Sequence, residues 1–487
     1  MTKYKDIIII GGGVAGLAFA NEAIKKNPEA RIRIFERDNQ IGGCHKVDRK
    51  LYKDEYYFCE HAPRIYIDNY VNFIHLLKSM NMDFSKLFVK YKYNFFNISN
   101  KIIFEDNIFS FYELSIITRD FLFTIFSYDY GMNISMDNYM KFNEFSPKAM
   151  KAVDAFCRSF DGGDSSRISL NQFISVSIQS LFYNIYLPRI PNDEGLFKGW
   201  SNYLKANKVE INLNKEIKEL KTEDRKIKSI ILNSGEEIKG DLFILSMPPT
   251  NFLKILKNNK ETNEAFGDLR ILEEYSKKTK YNEYISMTFF WDFDMKLEDD
   301  KFGVLETEWN LSIIIMSNYM KFKESKAKVV MSIGIILTDI KNSLLNKTAN
   351  ECNEEELIDS VYHQLLTKFK NIPKPTLYFI HNYYDKDLKK WMSNNSAFLK
   401  IPEIDYLEFK SKKFNNLYNL GTHNGKHKNS FTSLESAVSN SLKLSNIIFE
   451  EKTKIKRCFD IRDLTIIIIA FIISILLFIK FRKNDLK

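Results

Sequence analysis

Gly11-Gly12-Gly13-Val14-Ala15-Gly16 sets three glycines in the spacing G-x-G-x-x-G directly after the apolar run Ile7–Ile10. In that spacing Gly11 permits a tight turn, Gly13 lets the backbone approach a pyrophosphate, and Gly16 lets a helix pack closely on a sheet. Val14 and Ala15 fall in the opening turn of that helix, where free N–H groups and the positive dipole end favour a bound phosphate. Glu36 stands twenty residues after Gly16, where a carboxylate can bind ribose hydroxyls. The chemistry implied is dinucleotide binding, and the turn alone does not choose the dinucleotide. No Ser-His-Asp order, H-E-x-x-H motif or Walker-type loop offers a rival chemistry.

Holding these residues requires a strand, a turn, a helix and a second strand. The run Ile7–Ile10 reads as a buried parallel strand, residues 14 to 26 as the helix, and Arg31 to Phe35 as the second strand. From about 69 to 207 the pattern changes to aromatic-rich helical stretches punctuated by Pro147, Pro188 and Pro191. Short β-like segments return in "VEINLNKEIKELK", "KIKSIILNS" and "EEIKGDLFILSMPP". A mixed region from about 261 to 406 includes "YISMTFFWDF" and "LSIIIMSNYM", which alternate like strands of a second sheet. From Leu407 onwards a strand, a loop and a helix are expected again. Nucleotide-type elements at the start, middle and end predict an α/β fold. In it, a discontinuous Rossmann-type domain carries an inserted mixed α+β domain.

With 487 residues, 45% hydrophobic and 27% charged, the chain is long and apolar enough for two sizeable cores. The net charge of +9 is concentrated at one end: residues 451–487 hold nine Lys and Arg against four Asp and Glu, a net of +5. The remaining body is close to neutral, without a basic stripe interleaved with aromatics, so nucleic acid is not an expected partner. Five scattered cysteines without a C-x-x-C pair predict mostly buried, reduced thiols, with neither a redox dithiol nor a metal site. The first strand begins within a few residues of Met1, so no secretory leader is expected.

The run Leu464 to Ile479 carries no charge and is bracketed by Arg462 and by Lys480, Arg482 and Lys483. As a helix it spans roughly 24 Å, slightly short of a full hydrocarbon core, with Lys480 free to snorkel. It reads as a single-pass C-terminal anchor over 464–481, with the body facing the cytosol. A buried terminal helix or strand is the alternative.

After Glu36 the chain continues "RDNQIGGCHKV", and here it resembles the flavin amine oxidase superfamily, which includes protoporphyrinogen oxidases and phytoene desaturases. That resemblance implies FAD, with the backbone of Gly42-Gly43 approaching its phosphates. The family usually has Arg after the two glycines. This chain has Cys44, then His45 and Lys46, so Lys46 or Arg37 would have to replace that contact. "NKEIKELK" resembles the family segment whose backbone holds adenine, here at Ile217. "NLYNLGTHNGKHKNSFTSLESAV" resembles the C-terminal flavin motif, which brings Gly421, Thr422, Ser433 and Leu434 to the cofactor. Thr422 stands where the family often has an acidic residue. An ordinary surface helix capped by Thr432 or Ser433 is the plainer reading of that stretch.

The resemblance implies FAD-binding segments at 1–66, 207–261 and 407–450. A mainly helical part (67–206) and a mixed part (262–406) would form the substrate domain, and 451–463 would be a charged connector. It implies an oxidoreductase moving a hydride from a substrate C–H to flavin N5, with no dedicated acid or base required. In "YYFCEHAPRIY", His61 and Arg64 are candidates to contact flavin or substrate. Equally, Glu60 and Arg64 form a structural pair and His61 fills the core. His423 and His427, in a Gly/Asn/Lys loop, are expected to be solvated. A lipophilic isoprenoid or polyene-like substrate is expected first and an amine second. A redox-neutral isomerase or mutase and an inactive flavin-binding membrane scaffold are the alternatives. Nothing in the sequence designates an electron acceptor.

Overall fold

Four consecutive isoleucines have no polar side to present, so the strand they form must be covered on both faces. The computed structural model describes residues 4–60, 64–91, 108–179, 183–280, 284–295, 297, 303–323, 326–393, 398–402, 404–425 and 433–484. In it this strand, β1 (Asp6–Ile10), is the centre of a parallel sheet with β2 (Arg31–Phe35), β3 (Glu210–Asn212) and β4 (Leu242–Leu245). Ile8 lies between Phe243 on one side and Arg33 on the other. A second, antiparallel sheet follows, made of β5 (Ile285–Trp291), β6 (Gly303–Leu305), β7 (Leu311–Ile315), β8 (Val329–Ile335) and β9 (Leu377–Ile380). Its order is β6-β7-β8-β5-β9. The last strand, β10 (Leu417–Asn419), then returns to the first sheet, whose order is β10-β4-β1-β2-β3. Three well-separated stretches of chain thus build one parallel sheet.

Helix α1 (Val14–Lys26) leaves the glycine turn rich in small residues, and Ala15, Ala18 and Ala20 let it lie close to its neighbours. Helix α2 (Val71–Ser79) begins the inserted material. Four more helices, α3 (Phe111–Phe126), α4 (Met136–Phe142), α5 (Pro147–Asp161) and α6 (Leu170–Gln179), share a core of their own around Met136, Met140, Val153 and Ile168. Pro147 occupies the first turn of α5, where its missing N–H costs nothing. Helix α7 (Glu354–Leu366) covers one face of the second sheet through Leu357, Val361 and Leu365.

The alternation expected of "YISMTFFWDF" is not what β5 shows, because all seven of its residues are buried. Met287, Phe289 and Trp291 pack toward α7, while Phe290 joins the core of the parallel-sheet unit. Thr288, on that second side, meets His381 at 2.8 Å (Oγ1 to Nε2). A sheet covered on both faces has no solvent side to mark with polar residues.

Helix α8 (Leu434–Phe449) closes the first unit by packing on α1: Phe19 and Phe449 stack at 6.2 Å, and Ser441 Oγ donates to the Ala15 carbonyl at 2.8 Å. The segment from 451 to 460 is laced to the body rather than loose. Asn446 and Thr453 exchange two hydrogen bonds, and Asn72 and Lys456 exchange two more. Helix α9 (Ile461–Asn484) follows the connector. Its stretch Ile461–Ile479 is almost wholly exposed and, among the described residues, is the one helix long and apolar enough to cross a membrane.

Candidate functional site

The turn after β1 tolerates only glycine at Gly11, whose φ is +112° and whose added Cβ would lie 2.2 Å from the Ser246 carbonyl oxygen. Gly12 N donates to Glu36 Oε2 at 2.7 Å, and Asp38 N donates to Oε1 at 3.0 Å. Gly13 precedes α1 without any side-chain cap, and the first helical bond runs from Leu17 N to the Gly13 carbonyl. The amides of the first helical turn are therefore not used by the helix itself. Gly16 lies on the other side: its added Cβ would meet the Gly11 carbonyl oxygen at 2.4 Å. It sets the approach of α1 to the sheet and does not line the cavity described next.

Gly42-Gly43 packs directly against this turn. Gly42 N donates to the Gly12 carbonyl at 2.9 Å, and an added Cβ at Gly43 would meet Gly13 Cα at 3.0 Å. Both residues have positive φ, +124° and +59°. Two glycine turns thirty residues apart in sequence thus form one bare backbone surface.

A cavity of about 550 Å³ opens over that surface at the carboxyl ends of the parallel strands, where ligands bind in open α/β sheets. Ile10, Phe35, Ser246 and Leu420, at the ends of β1, β2, β4 and β10, all reach it. So do Gly11, Gly13, Val14, Ala15, Glu36, Arg37, Gly42, Gly43 and Cys44 from the first segment. Ile217 comes from the middle, and Gly421, Thr422, Ser433 and Leu434 from the last. Arg64 is on its wall as well; His61 lies outside the described residues. Ser433 caps α8 by accepting from Ser436 N at 3.1 Å, so the plainer capping reading and the cavity position hold together.

The stretch "GDLFILSMPP" resembles the family strand that ends near the cofactor, but sequence reasoning named none of Ser246, Met247, Asn251 and Lys254, which follow β4, and missed Lys280, Tyr284 and Phe398, which come from the second unit. The Ser-Met-Pro-Pro break after the apolar run of β4 was the available signal for the first group. Nothing local marks the second. Seven Lys and Arg (37, 46, 64, 215, 218, 254 and 280) line the cavity against Glu36, Asp38 and Glu216. The wall is therefore electropositive, by four charges.

The two cations placed to stand in for the family arginine meet the same carboxylate. Lys46 Nζ lies 2.6 Å and Arg37 Nε 3.6 Å from Asp38. Arg64 Nε is 3.6 Å from Glu60 Oε1, so the Glu60–Arg64 pair exists and one of its members also faces the cavity. Burial pushes the Glu60 carboxyl up to about 7, with Arg64 working against the rise. His45 is pulled down to about 3 by burial and, secondarily, by Arg64.

His423 is not solvated. It is 1% exposed, its ring lies 5.8 Å from that of Phe252 and 6.0 Å from that of Phe398, and Nε2 is 3.0 Å from Asn419 Oδ1. Burial lowers its pKa to about 3, so it is a neutral packing group in the cavity wall. The polar neighbours Gly, Asn and Lys suggested a wet loop, but aromatic rings from distant segments enclose it. His427 lies outside the described residues. All five cysteines are free thiols; Cys44 is exposed at the cavity and the other four are buried.

A dinucleotide-type turn on a parallel sheet, joined to a second, antiparallel sheet, defines a Rossmann-type architecture with an added domain. Residues 9–80 match the NAD(P)-binding Rossmann-like domain family. Among solved structures, a protein assigned as protoporphyrinogen oxidase from Exiguobacterium sp. 255-15 superposes with a TM-score of 0.59 and 14% identity, over 92% of this chain and 99% of its own. Putrescine oxidase bound to putrescine gives 0.60 and 10% over the same shares. Cyclohexylamine oxidase from Brevibacterium oxydans gives 0.58 and 13%, again over 92% and 99%. The chain has the fold shared by these oxidases. A short likeness to the mitochondrial L-2-hydroxyglutarate dehydrogenase of Dictyostelium discoideum, 47% over 36 residues, spans 7% of this chain and 8% of that protein.

Proposed function

We propose that this chain is a membrane-anchored, FAD-dependent oxidoreductase that dehydrogenates a lipophilic small molecule. The observation that carries the reading is the convergence of three distant segments, 11–46, 217 and 421–434, on one cavity at the carboxyl ends of the parallel strands. FAD, when bound, supplies a two-electron acceptor for a substrate C–H. The residues fit such a group. Gly11, Gly13, Gly42 and Gly43 leave a side-chain-free surface, and the opening amides of α1 together with the electropositive wall suit a pyrophosphate. Glu36 keeps lone pairs beyond its two amide contacts for ribose hydroxyls. Ile217 would hold adenine through its backbone, Thr422 would hydrogen-bond the ribityl part, and Ser433 and Leu434, at the N-terminus of α8, would serve the flavin ring. Arg64 and Phe398, on the same cavity wall, would be available to the substrate.

The net positive charge of the wall, seven cations against three carboxylates, favours a neutral substrate over a free cationic amine. Amine oxidation is the second reading, supported by fold neighbours that are putrescine and cyclohexylamine oxidases. The stretch Ile461–Ile479 serves as a single-pass anchor that leaves the body in the cytosol.

Purified protein is expected to be yellow, with flavin absorbance bleached by dithionite and one FAD released per chain. A folded, colourless protein that cannot be loaded with FAD would overturn the assignment. Alkylation of Cys44, the one exposed thiol, should be slowed by bound FAD. Anaerobic flavin bleaching across a panel of neutral polyenes and primary amines separates the two substrate readings. Carbonate extraction with protease protection tests the anchor.

A further inference from the structure

Helix α3 packs Leu114, Ile116, Ile117 and Phe121 on the helical core, yet also buries two carboxylates and leaves large aromatic residues outward, where a surface helix of a water-soluble protein is polar. Its buried positions are Glu113, Ile116, Asp120 and Thr124, two carboxylates and a hydroxyl among them. Facing outward are Phe111 (89% exposed), Tyr112, Leu122, Phe123 and Phe126 (84%). The orientation is held firmly. Ser110 N and Ser146 N donate to Glu113 at 2.5 and 2.6 Å, and the hydroxyls of Tyr139 and Tyr130 donate to Asp120 at 2.6 and 2.8 Å. With both carboxylates pinned two turns apart, the helix cannot roll to hide its aromatic face. Phe142, at the end of α4, shares a surface cleft with Arg119 and Asp120 and extends the patch.

This patch adjoins the root of α9. Arg462, in the first turn of α9, is buried, pairs with Asp460 at 2.5 Å, and lies 4.1 Å over the ring of Tyr128. Tyr128 is two residues past the end of α3. Asp463 pairs with Arg457 and fastens the same turn to the connector. The apolar helix therefore leaves the body beside the Phe126 end of the patch, on a docked joint rather than a free tether.

We infer that the outward face of α3 is a membrane-docking surface, which lies in the headgroup and upper acyl layer of the bilayer that α9 enters. The inference rests on the proposed reading of α9 as an anchor and adds an orientation to it: the helical unit sits down on the membrane. Aromatic rings around an exposed Arg119 suit that interface. Exposed Lys452, Lys454 and Lys456 in the connector give the same region a charge that matches anionic headgroups. A bilayer is favoured over a second copy of this chain because its surface at the root of α9 already reaches the patch. The core beneath α3 runs on through Leu399 and Ile401, next to Phe398 of the cavity wall. The docked face and the cavity are thus two sides of one helical unit, which suits a substrate drawn from lipid.

The four native tryptophans are buried in the body, so a new one reports its own surroundings. Full-length Phe126→Trp, Ser474→Trp in α9 and Ser234→Trp, in the exposed turn of the antiparallel sheet formed by residues 217–223, 226–232 and 237–239, would be reconstituted in phosphatidylcholine–phosphatidylserine vesicles brominated high on the acyl chains. At interfacial depth the added emission of Phe126→Trp is expected to fall by about twofold; Ser474→Trp should also be quenched and Ser234→Trp should not. Quenching at 474 without quenching at 126 overturns the docking surface and leaves the anchor standing. Absence of quenching at both positions overturns the two together. Emission at 126 that is blue-shifted in detergent and indifferent to bromine means the face is covered by protein, which also overturns the proposal.

Discussion

At its amino-terminal end the cavity is made by residues close in sequence, and at its other end by residues that meet only after the chain has folded. Gly11 to Gly16, Glu36 and Gly42-Gly43 lie within 33 positions, and their contacts to one another set the surface. At the opposite end α8 must be held in place by a partner from far away. Its buried Glu435 accepts from Asn72 N at 2.8 Å, Asn72 Nδ2 at 2.6 Å and Phe73 N at 2.9 Å, at the start of α2. A carboxylate that satisfies a helix N-terminus is favourably placed, yet burial raises its pKa to about 7. The comparison shows two ways to position a bare backbone: close-packed glycines, which resist any added atom, and a buried polar clamp, which depends on every member.

Breaking the glycine end should have the largest effect. Gly11→Ala brings a Cβ against the Ser246 carbonyl at a backbone angle that side chains avoid; a cost of about 3 kcal/mol is expected, with loss of bound flavin. Urea unfolding and flavin content per chain check this; an unchanged midpoint would remove the distinction between the two ends. Breaking the clamp comes next. Glu435→Ala strands the buried Asn72 and Phe73 amides and removes one bond of the Asn72 side chain, and should cost about 2 to 3 kcal/mol, with flavin retained more weakly and a rise in the FAD dissociation constant. Retention equal to the parent protein would show that α8 does not depend on α2.

The third test uses pH. Glu60 and Glu435 have folded pKa values near 7, raised from an ordinary 4.5 by burial. The folded state therefore binds these protons more tightly than the unfolded chain. Stability from the protonated forms is fully present below about 4.5 and is lost as pH rises toward 7, by at most about 1.4 kcal/mol per pH unit for each group. Chemical unfolding across that window measures the slope, and Glu435→Gln should remove one group's share of it. The smallest effect is expected at His423→Phe, which keeps the packing between Phe252 and Phe398 and gives up the bond to Asn419. A cost of about 1 kcal/mol is expected, with no change in pH dependence, because His423 stays neutral above pH 3. Loss of a titration near neutrality in this variant would contradict its burial.

Much of the glycine end was legible from residue types, since G-x-G-x-x-G, the acid at Glu36 and Gly42-Gly43 act through local backbone geometry. The strands that end at Ile10, Phe35 and Leu245 were legible too, because their apolar runs are short and bounded. His423 was misread, because the rings that enclose it come from Phe252, 171 positions away, and from Phe398. The period of β5 was misread because both of its faces are covered. The exposed aromatic face of α3 was hidden because composition records that a helix has aromatic and acidic residues, and only packing decides which of them are buried.

By itself the sequence determined a phosphate-type turn, the strands and helix that carry it, and one long apolar C-terminal helix. Each depends on properties of neighbouring residues: the conformational freedom of glycine, strand and helix periodicity, and uninterrupted hydrophobic length. The resemblance implied that residues near 11, 42, 217, 421 and 433 serve one cofactor; only the tertiary structure brought them to the walls of one cavity. It also decided that Glu435 clamps α2 and that α9 is seated on Tyr128 through Arg462. Those outcomes rest on desolvation and on contacts between residues hundreds of positions apart, which no local pattern encodes.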